Sequence, residues 1–129
     1  VFGTILIGTN IQHTYNGDLT ISVISPTSKE VVLANKKGGS FDNIFAGTVF
    51  SDFSTIKYVD NTYVNNVTFS YIQSESALYH LLNGNINGNW QLKIVDSGGR
   101  GSGSLKNWFI AFYGYSFFIF IFAFFFYLF

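Results

Sequence analysis

The chain has 129 residues and a mass of 14.5 kDa, room for one domain with a buried core but not for two. Seven basic and seven acidic side chains cancel, and no stretch concentrates Lys or Arg beyond Lys36-Lys37, which leaves no basic face for nucleic-acid phosphates. Cysteine is absent, excluding a disulfide framework, a thiolate zinc site and a cysteine nucleophile.

Residues 4–13 read as a first strand, with Ile5, Ile7 and Ile11 interrupted by Gly8 and Asn10, the pattern of a bulge. No methionine occurs and Val1 opens in mid-pattern, so the expectation is a fragment of a longer chain. Asn16-Gly17-Asp18 signals a turn. Residues 19–24 then alternate Leu19, Ile21 and Val23 against Thr20 and Ser22, the period of a half-buried strand. Ser25-Pro26-Thr27-Ser28 turns the chain, with Pro where its fixed φ is wanted, and residues 31–34 return. Residues 36–40 are a loop, followed by residues 41–52, and 56–58 and 67–72 read as two further strands. Near the end, residues 90–96 place Trp90, Leu92 and Ile94 on one face. Residues 105–113 place Trp108, Ile110 and Phe112 on one face and Leu105, Phe109 and Ala111 on the other, which predicts a strand covered on both sides. The Gly- and Ser-rich loop 97–104 joins them, and the pair reads as a closing hairpin. The pattern is all-β.

Two stretches carry a resemblance. His13-Thr14, Gly17-Asp18-Leu19, Ile21 and Ser25-Pro26 resemble H-T-x-x-G-D-L-x-I-x-L-x-S-P. Asn87, Gly88, Trp90, Leu92, Ile94 and Asp96, followed by Gly103, Leu105, Trp108 and Phe112, resemble N-G-x-W-x-L-x-I-x-D, a Gly-rich loop and G-x-L-x-x-W-x-x-x-F. In this order and spacing they are similar to the P domain, or homo B domain, that follows the catalytic domain of kexin- and furin-like subtilisin-family proteases. The resemblance covers about residues 4–114, weakly over 60–78. It implies an antiparallel β-sandwich of jelly-roll, galactose-binding-like type over 4–114. It also implies a non-catalytic role, stabilising and regulating a subtilisin-like catalytic domain in cis, in a secreted or secretory-pathway protein. One departure is Ser102, where many members have Asp before the second Gly. A free-standing jelly-roll module binding a carbohydrate or another ligand is the rival reading, because fold does not settle function.

Asp96-Ser97-Gly98 imitates the D-[ST]-G of subtilisin-family active sites, but no histidine follows Asp96 and no G-T-S motif occurs, so no ordered triad can be assembled. Asp96 reads instead as a turn-starting residue. His13 and His80, the only histidines, have no neighbouring ligands at zinc spacing. Asp18, Asp52 and Asp96 each stand at a strand end or turn and are the candidate calcium ligands. The resemblance implies calcium in some members, while Ser51 and Ser102 replace acids there and turn capping is the competing reading. Asn66-Val67-Thr68 is the one N-x-[ST] acceptor for glycosylation, so Asn66 is the modification candidate if the chain is secreted.

Residues 109–129 are 21 in a row without charge, and eight of the 16 Phe lie between Phe117 and Phe129. A membrane-spanning helix needs about 20 apolar residues, yet residues 109–113 are claimed by the last strand. The domain is therefore expected to end near Gly114. The tail 115–129 is left as a truncated membrane anchor, a gene-model artefact or a soluble extension.

Overall fold

Alternating apolar residues dictate strands, and among the described residues the computed structural model has strands, turns and two short 3-10 helices. It describes residues 2–54, 65–66, 71–114, 118–121 and 125–128, with side chains described between 4 and 113. The strands are β1 (Phe2–His13), β2 (Leu19–Ile24), β3 (Glu30–Asn35), β4 (Phe45–Ser51), β5 (Tyr71–Ile72), β6 (Gln91–Asp96), β7 (Gly103–Gly114), β8 (Phe118–Ile121) and β9 (Phe125–Leu128). The 3-10 helices are Asn16–Asp18 and Leu78–Leu82. The expected strands at 56–58 and over most of 67–72 lie outside the described residues.

Two sheets form the sandwich, one ordered β5-β4-β1-β7-β8 and the other β3-β2-β6-β9. Five of the pairings are antiparallel, while β4–β5 and β6–β9 are parallel. The bulge read from Gly8 and Asn10 is present: the β1 register shifts between Thr9 and Asn10 against β4, and between Asn10 and Ile11 against β7. Gly8 itself pairs with Phe109, and a Cβ there would lie 1.9 Å from the Phe109 ring, so the missing side chain lets the ring lie across the strand.

One expectation is corrected. Residues 90–96 and 105–113 do not form a hairpin, because β6 belongs to one sheet and β7 to the other. Alternation tells which side chains face inwards; it does not tell which strand is the neighbour. The connection 97–102 therefore arches from sheet to sheet. Trp90 and Trp108 are both buried, as their patterns require, but they approach the core from opposite sheets. Trp90 meets Phe112 of the other sheet at 5.3 Å between ring centroids. Around them pack Ile5, Ile7 and Ile110 from one sheet and Ile21, Leu33 and Leu92 from the other, all essentially inaccessible to water.

Backbone pairing continues past Gly114. β8 lies antiparallel to β7 and β9 parallel to β6, each at the edge of its sheet. Among the described residues no helix is long and apolar enough to cross a membrane.

Candidate functional site

Four strand ends meet at one end of the sandwich: His13 of β1 and Gly103 of β7 from one sheet, Leu19 of β2 and Asp96 of β6 from the other. Two short connections close this end, and they are stitched together. Thr14 N–H donates to the Ser102 carbonyl at 3.1 Å, and Ser97 N–H donates to the Asp18 carbonyl at 3.1 Å.

His13 ties the sheets. Its ring is 4% exposed, and Nε2 lies 2.8 Å from Asp96 Oδ2. Tyr15 N–H donates to Nδ1 at 3.0 Å, so Nδ1 is the acceptor and Nε2 carries the proton given to Asp96. The main chain of His13 is held too: its N–H donates to Asn43 Oδ1, and its carbonyl accepts from Asn16 Nδ2. Where a hydrolytic triad would place a nucleophile's hydroxyl on the second ring nitrogen, a backbone N–H stands instead. Asp96 and His13 form a latch between strands.

Asp18, 2% exposed, is covered from two sides. Arg100 Nη2 donates to Asp18 Oδ1 at 2.6 Å, while its guanidinium carbon stands 4.2 Å from the Tyr15 ring centroid and its Nη1 donates to the Tyr15 hydroxyl. The hydrogen bond to Asp18 raises the Arg100 pKa above its ordinary value. Partial desolvation opposes this, and the Coulombic attraction of Asp18 and Tyr15 reinforces it. On the other side the loop backbone closes in: a Cβ on Gly98 would fall 2.0 Å from Asp18 Oδ2. Only glycine lets the loop approach so near.

Three oxygen atoms here are buried without a hydrogen-bond partner: Asn16 Oδ1, Asp18 Oδ2 and Asp96 Oδ1. Leaving such an acceptor unsatisfied costs about 1–3 kcal/mol, more when it is charged. Native proteins usually resolve the cost with an ordered water or an ion. Beside them opens a cavity of about 580 Å³ between the sheets, walled by Ile11, Leu19, Ile94 and Leu105 with His13 and Asp96 at its polar side.

The structure brings together only two of the three candidate calcium ligands. Asp52 follows Ser51, which pairs with Leu6, seven residues along β1 from His13 and therefore roughly 20 Å from this end. Its carboxylate accepts from Leu78 N–H at 2.8 Å and Tyr79 N–H at 3.0 Å, capping the second 3-10 helix. Among the described residues no group of three or more His, Cys, Asp and Glu could hold a metal. Asn16 and Arg100 were not singled out by the sequence. The available signals were an Asn inside the H-T-Y-N-G-D turn and the lone cation of the Gly-rich loop. His80 is exposed and stacks on Tyr79 at 4.2 Å, away from the latch. Asn66 is exposed in a tight turn at φ 62°, and its Oδ1 accepts from Asn43 Nδ2.

Leupeptin-inactivating enzyme 1 of Streptomyces exfoliatus is 29% identical over 109 residues, 84% of this chain but 18% of that protein. The chain thus spans about a fifth of the length of that relative. No solved structure matches. The family model described as the proprotein convertase P-domain matches residues 2–112, which takes in every strand from β1 to β6, both strand ends of the latch and most of β7: the chain belongs to the proprotein convertase P-domain family.

Proposed function

We propose that this chain is the non-catalytic accessory sandwich of a subtilisin-like serine endoprotease, acting in cis on a catalytic domain carried by the same polypeptide. The observation that carries the reading is the P-domain match over residues 2–112, in a stretch that accounts for 18% of a longer relative. The His13 ring supports a structural role: it is buried and both nitrogens are committed, so it has no free position from which to take a proton. Such a module supplies a rigid body against which the catalytic domain folds and is stabilised, in the secretory pathway or outside the cell, where Asn66 would be open to glycosylation.

The rival is a free-standing ligand-binding sandwich, favoured by the cavity at the loop end. Reading the coding sequence upstream of Val1 separates the two. Asp, His and Ser motifs of a subtilisin domain in frame are expected; an upstream region with no protease domain overturns the proposal. Residues 1–129 alone are also expected to hydrolyse no peptide. Turnover of a dibasic peptide that vanishes in Asp96→Ala would refute the non-catalytic reading.

A further inference from the structure

The chain holds three Asn-Gly pairs, Asn16-Gly17, Asn83-Gly84 and Asn87-Gly88, and the fold treats them differently. Asn-Gly is a dipeptide that modifies itself. The glycine nitrogen attacks the Asn side-chain carbonyl carbon, a C–N bond forms and ammonia leaves; water then opens the five-membered imide at either carbonyl, giving aspartate or isoaspartate. Glycine favours the step because no Cβ shields its nitrogen or restricts the rotation that brings it to the Asn side chain. Asn16-Gly17 is locked. Asn16 is wholly buried, its Nδ2 donates to the His13 and Phe41 carbonyls, and Gly17 N–H donates to the Gly39 carbonyl at 2.8 Å. The other two pairs lie in the connection from the second 3-10 helix to β6, where Asn83, Gly84, Asn87 and Gly88 are all exposed. Neither the Gly84 nor the Gly88 N–H has an acceptor among the described residues. Asn83 rests extended, at ψ 120°, so its reaction waits only on rotation within an exposed loop.

We propose that Asn83 and Asn87 are modification sites that deamidate in the folded protein while Asn16 is protected, and that isoaspartate at position 87 is felt by the core. The connection is no free tail. Leu81 and Trp90, each 1% exposed, anchor its two ends. Between them Ile86 packs on the core, and its carbonyl accepts from Trp90 Nε1 at 3.0 Å. Isoaspartate at 87 adds one carbon to the main chain at the residue next to that carbonyl. On the other side Gly88 is packed against Pro26, where even a Cβ would stand 2.9 Å from the ring. The extra length is therefore taken up on the Ile86 side, and the hydrogen bond to Trp90 is lost. Each conversion also adds one negative charge to a chain whose formal net charge is zero.

The test incubates the full chain in mildly alkaline buffer and follows the three pairs by mass spectrometry of proteolytic peptides. Asn83 and Asn87 are expected to convert about tenfold faster than Asn16 or more, because a locked pair must open first and the open fraction of a buried segment is small. In urea the three pairs are expected to convert at comparable rates, since the dipeptide is the same in each. The coupling to the core is read in Asn83→Gln, where the longer side chain at 83 forms its ring far more slowly and position 87 converts alone. Asn87→Asp supplies the charge without the extra carbon. Aged Asn83→Gln, rich in isoaspartate at 87, is expected to melt about 2–7 °C below the double variant Asn83→Gln, Asn87→Asp, the shift set by one lost hydrogen bond in a domain of this length. In the folded chain, conversion of Asn83 or Asn87 no faster than that of Asn16 overturns the assignment. So does a difference among the pairs that persists in urea, which would place the cause outside the fold. Equal melting of the aged protein and the double variant overturns the coupling to Trp90.

Discussion

Truncating Trp90 tests the packing that joins the sheets. The residue is 1% exposed, its Nε1 donates to the Ile86 carbonyl at 3.0 Å, and its ring meets Phe112 at 5.3 Å and 59°. Replacing a buried aromatic with Ala costs about 3–5 kcal/mol, since the lost transfer energy is augmented by the cavity left behind. Losing the part-buried hydrogen bond to Ile86 adds about 0.5–1.5 kcal/mol at most. A domain of this size has roughly 5–15 kcal/mol in total, so Trp90→Ala removes a large fraction. At roughly 3–5 °C per kcal/mol for this length, the melting temperature should drop by about 10–20 °C. Trp90→Phe keeps a ring against Phe112 and should lose about 1–2 kcal/mol. Urea titration followed by far-ultraviolet circular dichroism measures both. In thermal melting followed by the same signal, a Trp90→Ala melting temperature within a few degrees of the parent's would show that the ring does not bridge the sheets.

Gly8→Ala should destabilise by about 1–3 kcal/mol through its clash with the Phe109 ring, and Phe109→Ala should relieve that clash in the double variant; additive losses in urea titration would refute the contact. Asp52→Ala should cost about 0.5–2 kcal/mol, because two N–H groups of the second 3-10 helix lose their acceptor, and hydrogen exchange at Leu78 and Tyr79 should accelerate; unchanged exchange would count against the cap. A chain ending at Gly114 should fold cooperatively and be more soluble than the full chain. The described core lies between Ile5 and Phe112, and β8 and β9 are edge strands, so their removal takes away only the outermost pairing of each sheet. Loss of the cooperative β transition in that chain would refute the boundary.

The sequence by itself determined the strands and their faces. Leu19, Ile21 and Val23, or Trp90, Leu92 and Ile94, face the core because alternation has a period of two, and any strand with that pattern buries the same side whatever its neighbour. The bulge in β1 was legible from Gly8 and Asn10 for the same local reason. Two ordered motifs sufficed for the family, since each is short and continuous. Sheet membership was not legible: β6 and β7, adjacent in sequence, went to opposite sheets because the gain from covering both apolar faces is a property of the whole sandwich. The site was legible only in part. Asp18 and Asp96 stood out as strand-end acids, but Asp52 looked the same and serves as a cap at the other end of β1. The latch from His13 to Asp96 spans 83 residues, and the pair from Asp18 to Arg100 spans 82. No local pattern encodes a contact at that separation; the register of β1, β2, β6 and β7 creates it, by bringing four strand ends to one place.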